Sequence, residues 1–582
     1  MKREEFIKLA LLNGLLLSFG LPTKSSAFAE TNQPSIDYNE AIVWNSEEVA
    51  KILKNLAGGV GPMRRSLGFD MANMAAAYVE PLSPYYRDQK IERAITDIVD
   101  FLASQQKADG TLDFGNLSSP PDTGFIIDPL CAAYRIMDKQ SGMDGAKKNL
   151  KSFILKAADQ LAVGGIHTPN HRWVVSSALA KTNALFPNPI YVKRINQWLA
   201  EKVFSDEDGV YLERSMTYAE VVNRSLIFLA TYNGRTELLD KVAKNLTWIY
   251  YMMEPNGEVV TVQSRRQDAF HERNVVEFYI HYRYMALKQN NGFFGAMVRQ
   301  IEGMPHFKEE VGKNMLYYFH ENEELRATPP VAELPVAFEK LYKGIDLLRY
   351  RKGKESLTFF AGTDWPTIIA SGRSTNPNLL MYRKGEAVLK YVRLSTSFFS
   401  TGYFRGKGLT FKDGKYITAN KIEAPYYQPL PKKYLKKDGD YQLSPSTDGR
   451  FWNKMDFSHR PQSNIQTLDT VVELDTKANK KLLKFKIDGP AGVRVTLECC
   501  FREGGEFKHV EKQGENYVLK EGFGTYTVGG DTIQIGPGLH EHSYVNGLEG
   551  EMYSTHFGTL KTQGNYLYIT GLCPFEYTLE LS

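Results

Sequence analysis

The sequence predicts an all-α half followed by an all-β half, with the change of character near residue 335 of 582. Three observations carry this. Before residue 335 apolar residues recur at i, i+3, i+4 and i+7, the spacing of one helix face. After it come short alternating runs broken by Gly, Asp and Pro, the pattern of half-buried strands. Within the helical half, Gly59, Gly110, Gly165, Gly209, Gly257 and Gly303 succeed one another at steps of 51, 55, 44, 48 and 46 residues, each about two helices and two connections. Six glycines so spaced predict six αα-hairpins in a closed or arc-shaped array, with the glycine-marked ends on one rim.

Taken in order, residues 1–29 have the layout of an export leader. Lys2 and Arg3 form a basic start, Leu9 to Phe19 is apolar, and Ala27-Phe28-Ala29 is a small-x-small cleavage site. The apolar run is shorter than the ~20 residues needed to span a bilayer, and no cysteine at the cleavage site suggests a lipid anchor. The expected location is periplasmic or secreted. Without the leader the net charge falls from +4 to +2, far from the dense Lys/Arg surface that nucleic acid selects. Four cysteines, Cys131, Cys499, Cys500 and Cys573, are too few and scattered for a disulfide framework or a paired zinc site.

The helical half, 30–334, shows its clearest stripe at Ile91, Ala94, Ile95, Ile98, Val99, Phe101 and Leu102. Similar stripes run through about 191–203, 218–231, 236–253 and 274–287. Pro329, Pro330 and Pro335 mark the junction. The strand-rich half, 335–582, includes Leu357-Thr-Phe-Phe, Val388-Leu-Lys-Tyr-Val, Leu482-Leu-Lys-Phe-Lys-Ile and Val493-Arg-Val-Thr-Leu.

Polar residues gather just after five of these glycines: Arg64-Arg65; Asp113 and Asn116; His167, Asn170, His171 and Arg172; Glu213, Arg214 and Tyr218; Arg265, Arg266, Gln267 and Asp268. Three stretches stand out. In Thr168-Pro-Asn-His-Arg-Trp173 the proline favours a helix start, which places an amide and an imidazole in its first turn. In Asp208-Gly-Val-Tyr-Leu-Glu-Arg-Ser-Met-Thr-Tyr218 a phenol opens a helix among charged neighbours, where it can serve as acid or base, with Tyr211 its nearest competitor. In Gln263-Ser-Arg-Arg-Gln-Asp268 two adjacent guanidinium groups suit bidentate binding of a carboxylate.

Together these groups fit removal of the C5 proton of a uronic acid. That reaction needs the carboxylate neutralised, a base, and an acid for the leaving oxygen on C4. Tyr218, His171, Asn170 and Arg266 form the expected catalytic set, and Arg265, Arg172, Trp173, Arg214, Gln267 and Asn116 the expected substrate contacts. Hydrolysis would instead need paired carboxyl groups, and Asp113, Asp122, Glu213 and Asp268 are available for it.

The sequence resembles the polysaccharide lyases built from an (α/α) toroid followed by an antiparallel β-sandwich, the group with heparinase-like, alginate and hyaluronate or chondroitin lyases. Asn170-His171 looks like the Asn/His pair of the heparinase and alginate branch, and Tyr218 like its catalytic tyrosine. Ser264-Arg265-Arg266 is similar to the arginine-rich loop of the hyaluronate and chondroitin branch. The resemblance implies a β-eliminating lyase of a 4-linked uronate, without cofactor or metal, acting on an acidic polysaccharide. It also suggests the lyases that act on rhamnose linked to O4 of glucuronate in arabinogalactans, with Asn116 to Asp122 as a substrate-cleft loop. One departure is that Arg214 stands where the hyaluronate branch commonly has a His before its Tyr. Some branches bring a His from the β domain, for which His459, His540, His542 and His556 are candidates. His540-x-His542 also has the form of a metal fragment, though such pairs are more often packing or surface residues. The alternatives are a toroid-fold hydrolase and a glycan-binding protein on a degenerate lyase scaffold.

Overall fold

The computed structural model describes residues 36–362, 376–399, 401–445, 452–477, 480–543, 545 and 562–582. The expected leader and His556 lie outside the described residues. The chain divides into two compact units. The first holds the described residues up to Leu212, Thr217–Tyr250 and Asn274–Leu334. The second holds Glu213–Met216, Tyr251–Arg273 and the chain from Pro335 onward.

The first unit is helical, and its helices come in pairs: Tyr38–Leu56 with Ser66–Val79, Gln89–Gln105 with Pro120–Asp138, and Asp144–Val163 with His171–Leu185. Pro189–Ala200 with Met216–Asn233, Leu239–Met252 with Tyr279–Lys288, and Gly292–Glu302 with Met315–Glu321 complete six. The two members of a pair differ in chemistry. Gln89–Gln105 buries one stripe, Ile91, Ala94, Ile95, Ile98, Val99 and Leu102, and leaves its other face polar. Ser66–Val79 buries Leu67, Gly68 and every residue from Met71 to Val79, as a helix flanked by others on all sides must.

These inner helices pack side by side. Ser66–Val79 lies on Pro120–Asp138, which lies on His171–Leu185, and Met315–Glu321 returns against the first two. Gly68 permits the first of these contacts, because a Cβ there would lie 2.6 Å from Pro129 Cγ. The result is the toroid of six hairpins the sequence predicts.

Each marker glycine sits in a connection that enters an inner helix. Three of them close the same turn. Gly110 N donates to Lys107 O (2.9 Å), Gly209 N to Asp206 O (3.2 Å) and Gly257 N to Glu254 O (3.0 Å), with φ of +94°, +89° and +90°. An Asp or Asn precedes each glycine, and the left-handed conformation explains why glycine recurs. The helix predicted over 274–287 starts later, at Tyr279, because Val275–Phe278 forms a 3₁₀ turn.

The second unit is a sandwich of two large sheets. The nine-stranded sheet is centred on Ala387–Thr396, between Leu380–Lys384 and Arg494–Phe501. The eight-stranded sheet is centred on Phe575–Leu581, Lys481–Asp488 and Gln462–Asp475. Among the described strands pairing is antiparallel except where Asn516–Val518 meets Asn565–Leu572, and an isolated parallel bridge joins His540 to Thr570. Leu348, Leu357, Phe359, Leu394 and Leu497 of the larger sheet join Val472, Leu483, Phe485 and Leu579 of the smaller in one apolar core. The reverse face of the larger sheet is charged yet buried: Arg349 and Arg393 are fully inaccessible, and Thr358 and Glu498 nearly so.

Candidate active site

In the first unit, three rim connections bring a polar cluster to the start of inner helices. Asn170 is the residue that caps His171–Leu185, and His171 opens it. Both are buried, at 1% and 8% exposure. The backbone fixes them there, since Asn170 O accepts from Trp173 N (3.0 Å) and Val174 N (3.3 Å). The His171 ring meets Phe125 edge-on at 6.1 Å and His167 at 4.7 Å.

Beside it, Asp122 in the first turn of Pro120–Asp138 pairs with the Arg65 guanidinium and accepts from Asn116 Nδ2 at 2.7 Å. Burial alone would raise the Asp122 pKa. The Asn116 hydrogen bond and the Arg65 charge outweigh it, with Ser119 and His171 adding to them, and hold the carboxyl below its ordinary value. Arg65 also lies 4.5 Å over the Phe125 ring, and its side chain remains 46% exposed. A cleft of about 650 Å³ opens here, lined by the 115–121 loop and by Gly165, Ile166 and His167.

Tyr218 stands in the first turn of Met216–Asn233, half-buried, at the same point of its hairpin as His171 is of its own. Tyr211, its competitor, is 6% exposed and donates to Asn223 Oδ1 at 2.8 Å. Burial raises its phenol far above the ordinary range. Those facts describe a core tyrosine.

Two of the expected substrate contacts are differently engaged. Arg172 pairs with Glu201 at 2.7 Å and lies 4.8 Å over the Trp173 ring. Trp173 is only 3% exposed, so it packs in the core rather than forming a stacking platform. Both residues serve the packing of the toroid itself, and neither is assigned to substrate.

In the second unit, the arginine loop is built by internal bonds. Arg266 NH1 meets Glu213 Oε1 at 2.8 Å, and Arg265 N donates to Glu213 O at 3.1 Å. Asp268 accepts from Ser215 Oγ (2.8 Å) and Ser264 Oγ (2.5 Å). Arg265, Arg266 and Gln267 remain partly exposed, and Arg266 Nε reaches Gln267 Oε1 at 3.4 Å. Arg214, in a left-handed conformation at φ +52°, donates to Gly344 O at 3.0 Å.

A charged network anchors this loop. Arg349 NH1 donates to Glu254 Oε1 (2.8 Å), while its Nε and NH2 take the carbonyls of Tyr251 (3.1 Å) and Met253 (3.3 Å). Arg383 pairs with Glu258 at 2.6 Å, and Arg502 grips the same carboxylate at 2.8 and 2.9 Å. These ion pairs occupy the buried charged face of the nine-stranded sheet.

Sequence reasoning singled out Asn170, His171 and Tyr218 but gave Arg65 and Asp122 no part in their setting and passed over Phe125. The Ser119-Pro-Pro-Asp122 helix start is the signal that could have placed Asp122 on the rim. It missed the Glu254–Arg349 and Glu258–Arg383–Arg502 network entirely. Of the β-domain histidines, His540 meets Thr570 Oγ1 (3.2 Å) and His542 Nε2 meets Val495 O (3.0 Å). His459 Nδ1 is held by Asp456. Among the described residues no group of three metal-binding side chains occurs, and no helix is long and apolar enough to cross a membrane.

No family model matches the chain, and no curated protein matches it in sequence. Solved structures do match in fold. The chondroitin AC lyase of Streptomyces coelicolor A3, in complex with chondroitin sulphate, superposes with a TM-score of 0.56 at 12% identity, covering 99% of this chain and 82% of that one. A Paenibacillus xanthan lyase gives 0.56 at 12% identity over 100% of this chain, which spans 59% of the lyase's length. Heparinase III gives 0.55 at 11% identity, covering 96% and 87%. The chain therefore has the helical toroid and β-sandwich fold of these lyases.

Proposed function

We propose that the chain is a lyase that cleaves a 4-linked uronic acid in an acidic polysaccharide by β-elimination. The observation that supports it most is the buried Asn170–His171 pair at the opening of one inner helix, with Tyr218 at the corresponding point of another. In this reading Asn170 hydrogen-bonds the uronate carboxylate and stabilises the charge that develops as C5 loses its proton. His171 or Tyr218 takes that proton. Tyr218 protonates the C4 oxygen as its bond to C4 breaks, and C4 and C5 become doubly bonded. Arg266, Arg265 and Gln267 are assigned to the substrate's acidic groups, with Arg214 beside them in sequence, and Asn116 to the cleft loop.

Three of the four carboxylates available for hydrolysis are already engaged. A hydrolase needs one carboxyl group kept protonated by a raised pKa. Asp122 is instead shifted down, Glu213 is paired with Arg266, and Asp268 accepts two hydroxyl bonds. Glucuronate as the uronate, rhamnose as its O4 neighbour and export by the leader belong to the same proposal. The test incubates the protein with arabinogalactan, heparan, alginate and hyaluronan while ultraviolet absorbance and product mass are recorded. An absorbance rise, with a fragment one water lighter than the hydrolytic product, is the expected result. Saturated products alone would overturn elimination, and binding without cleavage would favour the glycan-binding alternative.

A further inference from the structure

Strands Lys415–Tyr427 and Gln462–Asp475 pair as far as Tyr427 with Gln462, a register that a short hairpin turn would close. The sequence instead places residues 428–461 between them, of which 428–445 and 452–461 are described. This excursion carries seven Lys or Arg and four Asp, a surplus of three in a chain whose whole surplus is four. Lys454 is paired with Asp440 and Asp456 with His459. Lys432, Lys433, Lys436 and Lys437 are all exposed and make no ion pair among the described residues. The basic excess is therefore local, and it faces water.

The patch has a shaped centre. The Tyr434 and His459 rings stack with centroids 4.0 Å apart and 26° between planes, and the Lys433 ammonium lies 4.7 Å from the Tyr434 centroid. His459 is oriented from below: its Nδ1 meets both oxygens of Asp456 at 2.8 Å, and Asp456 is buried at 8% exposure. Arg460 donates to Met455 O (2.9 Å) and Gln428 O (3.3 Å), which ties the two ends of the excursion together. An aromatic pair beside a lysine ammonium, in a segment with three more exposed lysines, matches the apolar face and acidic substituents of a charged sugar.

We infer that the described residues of this excursion, 428–445 and 452–461, form a binding surface for an anionic polysaccharide, with the Tyr434–His459 pair as its stacking platform and the four lysines as its charge. The inference uses the lyase reading only to favour polysaccharide over nucleic acid as the polyanion. A second hold on a polymer would raise the effective concentration of its uronates.

The experiment measures retention of the full chain on immobilised heparin and immobilised polygalacturonate over a salt series, with dextran as the neutral control and duplex DNA as competitor. Replacing the four lysines by Ala is expected to weaken retention at least tenfold and to flatten its salt dependence. Tyr434→Ala is expected to weaken it at high salt, where the charge contribution is screened. If the quadruple variant melts early, Lys432→Glu with Lys433→Glu serves in its place. Unchanged retention of these variants, or a wild type that prefers DNA to both polysaccharides at equal salt, would overturn the inference. Patch-dependent retention without cleavage of any uronate polymer would uphold it while ending the lyase reading.

Discussion

Tyr218, His171 and Asn170 each come after a polar rim connection and open a buried helix, and that position decides what their loss should do. Tyr218→Phe removes one hydroxyl from a half-buried ring, so the fold should persist while kcat on a cleaved uronate polymer falls by about 10²–10⁴, the usual contribution of a positioned acid or base. Steady-state kinetics beside a thermal melt checks this. Asn170→Ala is expected to cost about 10²–10³ in kcat, as loss of one donor to a developing anion does, and KM should change little. These residues were legible in the sequence because turn glycines and a helix-starting proline are local signals. The engagement of Arg172 with Glu201 and the burial of Trp173 were not, since the first joins residues at the ends of different helices and the second depends on how the helices pack.

At the scale of elements, the segment Tyr251–Arg273 is held by charges from strands far along the chain. Arg349 is fully inaccessible and bonds Glu254 and two carbonyls. Arg349→Met should leave the buried Glu254 with only the more distant Arg383, at 3.6 Å, as counter-charge and cost about 3 kcal/mol, read by urea unfolding. Glu258 is a gentler probe. Burial would raise its pKa, but Arg383 and Arg502 bring it down to about 2 from an ordinary 4.5. A carboxylate depressed in the folded state adds stability above the unfolded pKa and loses it as pH falls through the folded one. The gap corresponds to about 3 kcal/mol. Wild type should therefore exceed Glu258→Gln in stability at pH 7, and the difference should fade between about pH 4.5 and pH 2 in melts at stepped pH. The same variant should expose the Arg265–Arg266 peptide to faster tryptic cleavage at neutral pH, which mass spectrometry of timed digests would record.

For the molecule as a whole, the helical ring is fastened where its first and last hairpins meet. Tyr38 OH donates to Glu80 at 2.5 Å, His320 Nε2 lies 3.3 Å from the same carboxylate oxygen, and Arg326 lies 4.3 Å over the Tyr38 ring. Glu80→Ala removes the acceptor that Tyr38 and His320 share, leaves them only their mutual 3.3 Å contact, and should destabilise by about 1–3 kcal/mol, with a matching drop in melting temperature. The sequence by itself determined the two halves, the six hairpins and the residues that open the inner helices, because periodicity, turn glycines and helix starts are written in short windows. Tertiary structure alone decided that Glu213–Met216 and Tyr251–Arg273 belong with the sandwich and that one sheet face is charged yet buried. It also decided which of the polar loop residues are committed to one another. The physical reason is that an arginine's side is set by the carboxylate that repays its desolvation, and here Arg349 and Glu254 are ninety-five residues apart.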